Sequence, residues 1–194
     1  MKTDYSLNHR WIIGLSLVGA ANMGLGTLRQ LGIIGRLPDP PIKGFDSDAV
    51  LLSAPAFALG VPDAPVAMVG LLANVPLALA GGSDRVQRAP WLPVLIASKT
   101  IVEVSVAGWY LVQMRTRLHA WCAYCLGSSA ILASIAALSA REASAALRTP
   151  RARTAFAAAA VLLGGCAVAV MSALDARRRS GHRKAARIRA RMAA

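Results

Sequence analysis

Long hydrophobic blocks separated by polar connections dominate the 194-residue chain. Each of five blocks runs about 17 to 22 residues, the length that a helix needs to cross a hydrocarbon core of about 30 Å. The blocks cover residues 11–28, 64–80, 91–112, 121–140 and 154–174. Lipid offers backbone polar groups no partner and the chain has no alternating strand pattern, so only helices can satisfy these segments. The pattern therefore predicts an all-α integral membrane protein with five transmembrane helices.

Composition and charge agree with a membrane location. Hydrophobic residues make up 56% of the chain, against about 45 to 50% in an average soluble protein. The formal net charge is +13, but eight basic residues lie after residue 176 and only +5 remains for the rest. Aromatic residues are 5% of the chain, which excludes a basic, aromatic-rich nucleic-acid surface. We divide the chain into a transmembrane domain, residues 1–175, and a basic tail, residues 176–194, which we expect at a lipid surface.

Two cysteines separated by two residues stand at the start of the fourth block, in the run Trp121-Cys122-Ala123-Tyr124-Cys125. On a helix this spacing places both thiols on one face of the first turn, close enough to form a disulfide. A helix N-terminus also stabilises a thiolate, which thiol exchange requires. A zinc site would need a second ligand pair at similar spacing, and the remaining cysteine and histidines do not supply one. We predict a redox pair and no metal site, with inert structural cysteines as the alternative.

The connection between the first two blocks, residues 29–63, is much longer than the others and is rich in Pro and Asp. Loops of this length between helices usually carry a function. Spaced apolar residues over 49–59 favour a short amphipathic helix that lies on the mouth of the bundle. A solvated connector is the alternative.

A Cys pair that opens the fourth helix, a helical bundle and a long first loop together resemble the vitamin K epoxide reductase family over roughly residues 10 to 175. The loop pattern of that family supports the resemblance, since Val50, Ser53, Gly60 and Pro62 fall into its register. The resemblance implies four helices around a quinone pocket, with the fifth helix peripheral. It also implies that the first loop covers the mouth of that pocket.

The chain departs from the family at two loop cysteines. Ser47 stands at one of these positions and Asp39 near the other. In the family this loop pair passes electrons from a thioredoxin-like partner to the helix pair. Without it, a catalytic chain must let its partner reach Cys122 directly, because an attacking thiol approaches the disulfide in line. We therefore expect the loop to be open or mobile over the fourth helix.

The resemblance implies a membrane thiol:quinone oxidoreductase that passes electrons from a periplasmic dithiol through the Cys pair to a membrane quinone, menaquinone or ubiquinone. Cys122 would exchange with a thioredoxin-like periplasmic protein, and Cys125 would face the quinone. Weaker candidates for the quinone pocket are Ser53, Phe57, Trp121 and Tyr124. The alternative is a non-catalytic accessory subunit of a larger membrane complex.

Basic residues predict the orientation of a multi-pass protein in the bacterial cytoplasmic (inner) membrane. With the N-terminus inside, the short inner segments hold eight basic residues and the outer loops hold five, which follows the positive-inside rule. This orientation places the Cys pair on the oxidising, extracytoplasmic side. Five spans would then place the basic tail outside, in conflict with the same rule.

Polar residues within the blocks should face the interior of the bundle. Lys99 and Glu103 stand one turn apart near the middle of the third block and should neutralise each other. A structural ion pair, a proton route to a quinone and a contact with another subunit all remain open for them. Asn22 and Asn74 are expected to form interhelical hydrogen bonds.

Overall fold

The computed structural model describes residues 5–58, 60–82 and 84–148, and within these ranges all regular secondary structure is helical, with one isolated β-bridge in addition. The long helices are α1 (Ser6–Gln30), α3 (Asp63–Leu79), α5 (Trp91–Gln113) and α6 (Ala123–Ala146). The short elements are α2 (Ser47–Leu51), a 3₁₀ turn (Ala54–Phe57), α4 (Arg85–Arg88) and a π-helical turn (Met114–Leu118) that extends α5.

Three helices are long and apolar enough to cross a membrane, namely Ser6–Gln30, Trp91–Leu118 and Ala123–Ala146. Helix α3 is also apolar, but its 17 residues are at the lower limit of a spanning length. The fifth predicted span, 154–174, and the basic tail, 176–194, lie outside the described residues. An all-helical fold with three helices of membrane-spanning length is therefore confirmed for the described residues, and the number of five spans stays a prediction.

Helix α1 packs against both α3 and α6, α5 packs against α6, and α3 meets α5 at the remaining edge of the bundle. Two glycines of α1 allow α3 to come close. A Cβ at Gly19 would lie 3.1 Å from Leu71, and one at Gly26 would lie 3.3 Å from Ala64. In lipid the hydrophobic effect does not drive helices together. Small residues at such contacts stabilise the packing instead, because they increase van der Waals contact between helices.

Two helices extend beyond their hydrophobic blocks at the end of the bundle far from the Cys pair. Helix α1 begins at Ser6 and α6 continues to Ala146, although both added segments contain ionisable residues. The two extensions meet there, since His9 and Glu142 are buried and hydrogen bonded to each other. Pairing offsets the cost of burying these polar groups. A hydropathy pattern takes no account of pairing, so it ends each block before the ionisable residues.

The predicted amphipathic helix over 49–59 is divided into α2 and the 3₁₀ turn. The carboxylate of Asp46 caps α2 by accepting the N–H of Ala49 over 2.9 Å, and Val50 is completely buried. The backbone is extended at Ser53, and Pro55 follows within the first positions of the 3₁₀ turn. Proline lacks the N–H that a continuing helix would need, so the segment consists of two short elements.

Candidate functional site

The Cys pair lies at the start of α6, with Cys122 as the N-cap and Cys125 in the first turn. The two residues form a disulfide, and their Cα atoms are 5.2 Å apart, within the usual range. The backbone N–H of Cys125 donates to Sγ of Cys122 over 3.0 Å. N–H groups at a helix N-terminus stabilise negative charge, so this contact would stabilise a Cys122 thiolate once the disulfide is reduced.

The first loop covers this disulfide. Cys122 is 0% exposed, whereas Cys125 is half-buried. The loop is bonded to the residue just before the pair, since the N–H of Trp121 donates to the carbonyl of Gly44 over 2.8 Å and the N–H of Asp46 donates to the carbonyl of Trp121 over 3.0 Å. A partner thiol therefore has no direct path to Cys122 in this conformation.

Asp39 and Ser47 hold this part of the loop together and against α6. The hydroxyl and the backbone N–H of Ser47 both donate to the Asp39 carboxylate, over 2.5 and 2.8 Å. The same hydroxyl accepts the N–H of Ala123, the first residue of α6, over 3.0 Å. Ser47 is completely buried. A hydrogen-bonded side-chain pair thus lies directly over the N-terminus of the helix that carries the cysteines.

Three further bonds fasten the loop. The Tyr124 hydroxyl donates to the carbonyl of Pro38 over 3.0 Å, and Arg29 forms an ion pair with Asp48 over 2.6 Å. The Asp48 carboxylate also accepts the N–H of Leu37 over 3.3 Å. The expectation of an open loop is therefore wrong for this structure. It followed from the missing cysteines alone, whereas the acidic and hydroxyl side chains of the loop supply the hydrogen bonds that close it.

A comparison with protein-family models matches residues 10–140 to the vitamin K epoxide reductase family, which is more than half of the chain and includes both the loop and the Cys pair. The chain belongs to the vitamin K epoxide reductase family. Membership implies a function of the membrane thiol and quinone oxidoreductase type. Searches of curated proteins and of solved structures gave no match.

Two of the four quinone-pocket candidates that the family resemblance suggested lie beside the Cys pair. Trp121 and Tyr124 flank the first cysteine and pack against the hydrophobic core. The other two lie in the loop segment before α3, where the Ser53 hydroxyl donates to the carbonyl of Val50 over 2.6 Å and Phe57 is 37% exposed. The role of all four as quinone contacts stays a prediction.

Tyr110 is a candidate site residue that the sequence pattern did not indicate. Its place near the end of the third block is typical of an interfacial aromatic residue. In the structure its hydroxyl is buried and has no hydrogen-bond partner among the described residues, although Asp63 and Ser53 lie close to it. Buried tyrosine hydroxyls usually find a partner, and this hydroxyl can meet either the neighbouring Asp63 and Ser53 side chains or a ligand.

A buried ionic cluster joins the helices at the end of the bundle far from the cysteines, and the sequence pattern did not indicate it either. Arg85 donates from Nε and Nη2 to the two carboxylate oxygens of Glu142, each over 2.6 Å. Its Nη1 donates to the carbonyls of Leu77 and Ala78, and His9 lies 3.2 Å from the same carboxylate. We call Arg85, Glu142 and His9 the terminal cluster.

A second polar cluster lies between α3 and α5. Lys99 donates to Glu103 over 2.6 Å, which confirms that the two residues pair. The same ammonium group donates to the carbonyl of Gly70 over 2.6 Å and to the side-chain carbonyl of Asn74 over 3.0 Å. Asn74 therefore forms the expected interhelical bond. Asn22 does so too, since its amide donates to Ser128 of α6 over 2.8 Å.

No group of three His, Cys, Asp or Glu side chains that could hold a metal ion occurs within residues 5–58, 60–82 and 84–148. Cys166 and His182 lie outside these ranges.

Proposed function

We propose that the chain is a thiol:quinone oxidoreductase of the bacterial cytoplasmic membrane. It passes electrons from a periplasmic dithiol through Cys122 and Cys125 to a membrane quinone, menaquinone or ubiquinone. The observation that carries the proposal is the disulfide at the N-terminus of α6 in a chain of the vitamin K epoxide reductase family. Protein dithiols have reduction potentials of about −120 to −270 mV, and membrane quinones lie higher, so electrons flow in this direction.

Exchange at the pair proceeds through a mixed disulfide. A thiolate of a thioredoxin-like partner attacks Sγ of Cys122, and Cys125 leaves as a thiolate. The second partner thiol then attacks the mixed disulfide and releases Cys122, so the partner is oxidised and the pair gains two electrons. The N–H of Cys125 that points at Sγ of Cys122 supports this second step, because it stabilises the departing thiolate.

The loop has to separate from α6 before this exchange, since Cys122 is completely buried. The bonds to be broken first are those of Ser47 to Asp39 and to the N–H of Ala123. A groove of about 620 Å³ on the loop is lined by Asp39 together with Arg36 and Pro38 through Pro41. A partner that binds in this groove would contact Asp39 and could loosen the loop from that side.

One side chain at the level of the pair suits a quinone contact. The hydroxyls of Thr100 and Ser139 lie 3.2 Å apart and fix the register of the antiparallel helices α5 and α6. By this register Tyr110 is level with Ser129, one helical turn inward from Cys125. The buried Tyr110 hydroxyl, without a partner among the described residues, suits a quinone carbonyl as its acceptor. A bound quinone would supply an acceptor for two electrons and two protons.

Trapping of the mixed disulfide tests the thiol half of the proposal. In native membranes treated with a mild thiol oxidant, a Cys125→Ser variant should accumulate a disulfide between Cys122 and a thioredoxin-like protein whose second cysteine is replaced by Ser, whereas Cys122→Ser should not. An Asp39→Ala variant in the same background should increase the trapped fraction, because it removes both bonds from Ser47. Asp84→Ala is the matched control, since it also removes a carboxylate but one that pairs with the exposed Arg88 outside the loop.

Quinone reduction by a dithiol tests the other half. The purified chain in detergent should reduce a soluble quinone at the expense of dithiothreitol, and the Cys122→Ser, Cys125→Ser double variant should lose this activity. Activity that survives in the double variant, or its absence from the native chain, would rule the proposal out.

A non-catalytic accessory subunit of a larger membrane complex is the second candidate. The complete burial of Cys122 under a loop whose two cysteine positions hold Asp39 and Ser47 favours it. Purification in mild detergent separates the two functions. An oxidoreductase should be isolated as an active chain with bound quinone, whereas a subunit should be isolated in a stoichiometric assembly and should lack dithiol-dependent quinone reduction.

A further inference from the structure

Polar atoms without partners are concentrated at one edge of the bundle. Five buried side-chain N or O atoms of the described residues have no hydrogen-bond partner. Three of them face the edge between α3 and α5, namely Nδ2 of Asn74, Oε2 of Glu103 and the hydroxyl of Tyr110. Nearly all buried polar groups in proteins are hydrogen bonded to protein or to ordered water. Three exceptions at a single edge therefore indicate that water or a ligand belongs there.

The side chains at this edge form a continuous row. Helices α3 and α5 are antiparallel, and Lys99 contacts both Gly70 and Asn74 across them. Tyr110 lies on α5 seven residues after Glu103, and Asp63 of α3 lies close to it. Residues seven apart share one face of a helix. We call this row, which runs from Asn74 and Lys99 through Glu103 to Asp63 and Tyr110, the polar seam.

The geometry at Glu103 leaves one carboxylate oxygen available. Oε1 of Glu103 accepts a hydrogen bond from Lys99. A Cβ at Gly70 would lie 2.5 Å from this oxygen. The carboxylate can therefore lie against α3 because Gly70 has no side chain. Oε2 has no partner within the described part of the chain. Asn74 is 0% exposed and also turns an unpartnered N–H₂ group into the seam. A polar site with two to four available partners is where buried water is stable.

We propose that the polar seam carries protons to the quinone site, with Glu103 as the carboxyl group that takes up and passes on each proton. This inference rests on the proposed function. Electrons reach the quinone site through sulfur atoms, and the two protons of the oxidised dithiol are released on the outer side. Reduction of one quinone also requires two protons. These protons therefore need a separate path to the quinone site.

The steps balance without a further reactant. Glu103 takes a proton at Oε2 from a hydronium ion that reaches it through water in the seam, so no hydroxide is left behind. The proton then moves through further water toward the Tyr110 hydroxyl, about 10 Å away along α5 at 1.5 Å per residue. The Tyr110 hydroxyl gives its own proton to the quinone site and takes this one in exchange. The bond from Lys99 to Oε1 keeps the carboxyl group facing the seam meanwhile. Two such transfers accompany each two-electron reduction, and Glu103 returns to its starting state after each one.

Labelling with a hydrophobic carbodiimide tests the seam without any quinone, because this reagent modifies carboxyl groups in the membrane only when they are protonated. In the native full-length chain, mass spectrometry should find Glu103 modified. Glu142 is the internal control, since both of its oxygens are bound by Arg85, and it should stay unmodified. Equal modification of the two residues, or no modification of Glu103, would overturn the proposal.

A kinetic comparison separates a proton path from a structural ion pair. Glu103→Gln should slow quinone reduction by roughly 100- to 10,000-fold, the range in which a positioned acid–base group acts. It should leave the reduction of the Cys122–Cys125 disulfide by dithiothreitol unchanged. A small weak acid such as formate should partly restore quinone reduction in Glu103→Ala. The matched control is Ser105→Ala on the exposed face of α5, which should change neither rate.

Two outcomes would contradict the proposal in different ways. If Glu103→Gln slows the thiol step and the quinone step equally and formate restores neither, Glu103 is a structural residue and the proposal fails while the proposed function stands. If the native chain does not reduce quinone at all, the proposed function fails. In that case modification of Glu103 by the carbodiimide still decides whether the seam holds a proton-accepting carboxyl group.

Discussion

The terminal cluster and the polar seam are both ionic sites of the same helical bundle, but their burial and hydrogen bonding differ. In the terminal cluster both oxygens of Glu142 are bound by Arg85, and the side chains of this pair are each 1% exposed. In the seam Glu103 has one bound and one unpartnered oxygen. Its side chain and that of Lys99 are 22% and 23% exposed.

This difference suggests different tasks for two chemically similar pairs. A buried ion pair repays its desolvation only when its remaining donors and acceptors are satisfied, and the terminal cluster meets this condition. It joins α1, α4 and α6 and also bonds to the end of α3 through Leu77 and Ala78. The seam does not meet the condition. A cluster left partly unsatisfied contributes less to stability, which is consistent with a role in transfer.

The largest expected effect is on stability at the terminal cluster. Glu142→Gln should lower the free energy of unfolding by about 3 to 5 kcal/mol, because it leaves the guanidinium group of Arg85 buried without its counter-charge. Glu103→Gln should cost only about 1 kcal/mol, since the side chain of Lys99 is 23% exposed and keeps two other acceptors. Unfolding titrations in mixed micelles would measure both variants. Equal losses of stability would show that the two clusters do not differ in the way their hydrogen bonds suggest.

The sequence predicts the two clusters unequally well, and the reason is sequence separation. Lys99 and Glu103 are four residues apart, so helical geometry alone pairs them. Arg85 and Glu142 are 57 residues apart, and Arg85 lies in a connection where a basic residue is normally read as a topology signal. Its pairing depends on how α4 packs against α6, which no local pattern encodes.

The same limit applies at the candidate site. Local spacing predicts that Cys122 and Cys125 share the first turn of a helix, and the family register places Ser47 and Asp39 at the positions of the loop cysteines. That these two residues bond to each other and to the N–H of Ala123 is a tertiary contact. The closed loop follows from this contact, and spacing could not predict it.

The second prediction tests the close contact within the polar seam. Gly70→Ala should lower the free energy of unfolding by about 1 to 3 kcal/mol, the usual cost of an added methyl group in a packed site. Its Cβ would displace Oε1 of Glu103 and so weaken the bond to Lys99. Gly14→Ala on α1 is the matched control, because a Cβ there meets no atom within 4 Å. Its stability should change by less than about 1 kcal/mol. Similar losses for both variants would mean that the seam is not closely packed at this glycine.

The smallest expected effect concerns His9, the third member of the terminal cluster. His9→Gln should lower the free energy of unfolding by about 0.5 to 1.5 kcal/mol, the net value of one hydrogen bond. The cost is small because Arg85 already binds both oxygens of Glu142 and the glutamine amide can still donate to one of them. Arg10→Gln, at the exposed neighbouring position of α1, is the control and should be close to neutral. A loss at His9 as large as that of Glu142→Gln would mean that Arg85 alone does not satisfy the carboxylate of Glu142. The contrast between a fully satisfied cluster and a partly satisfied seam would then no longer hold.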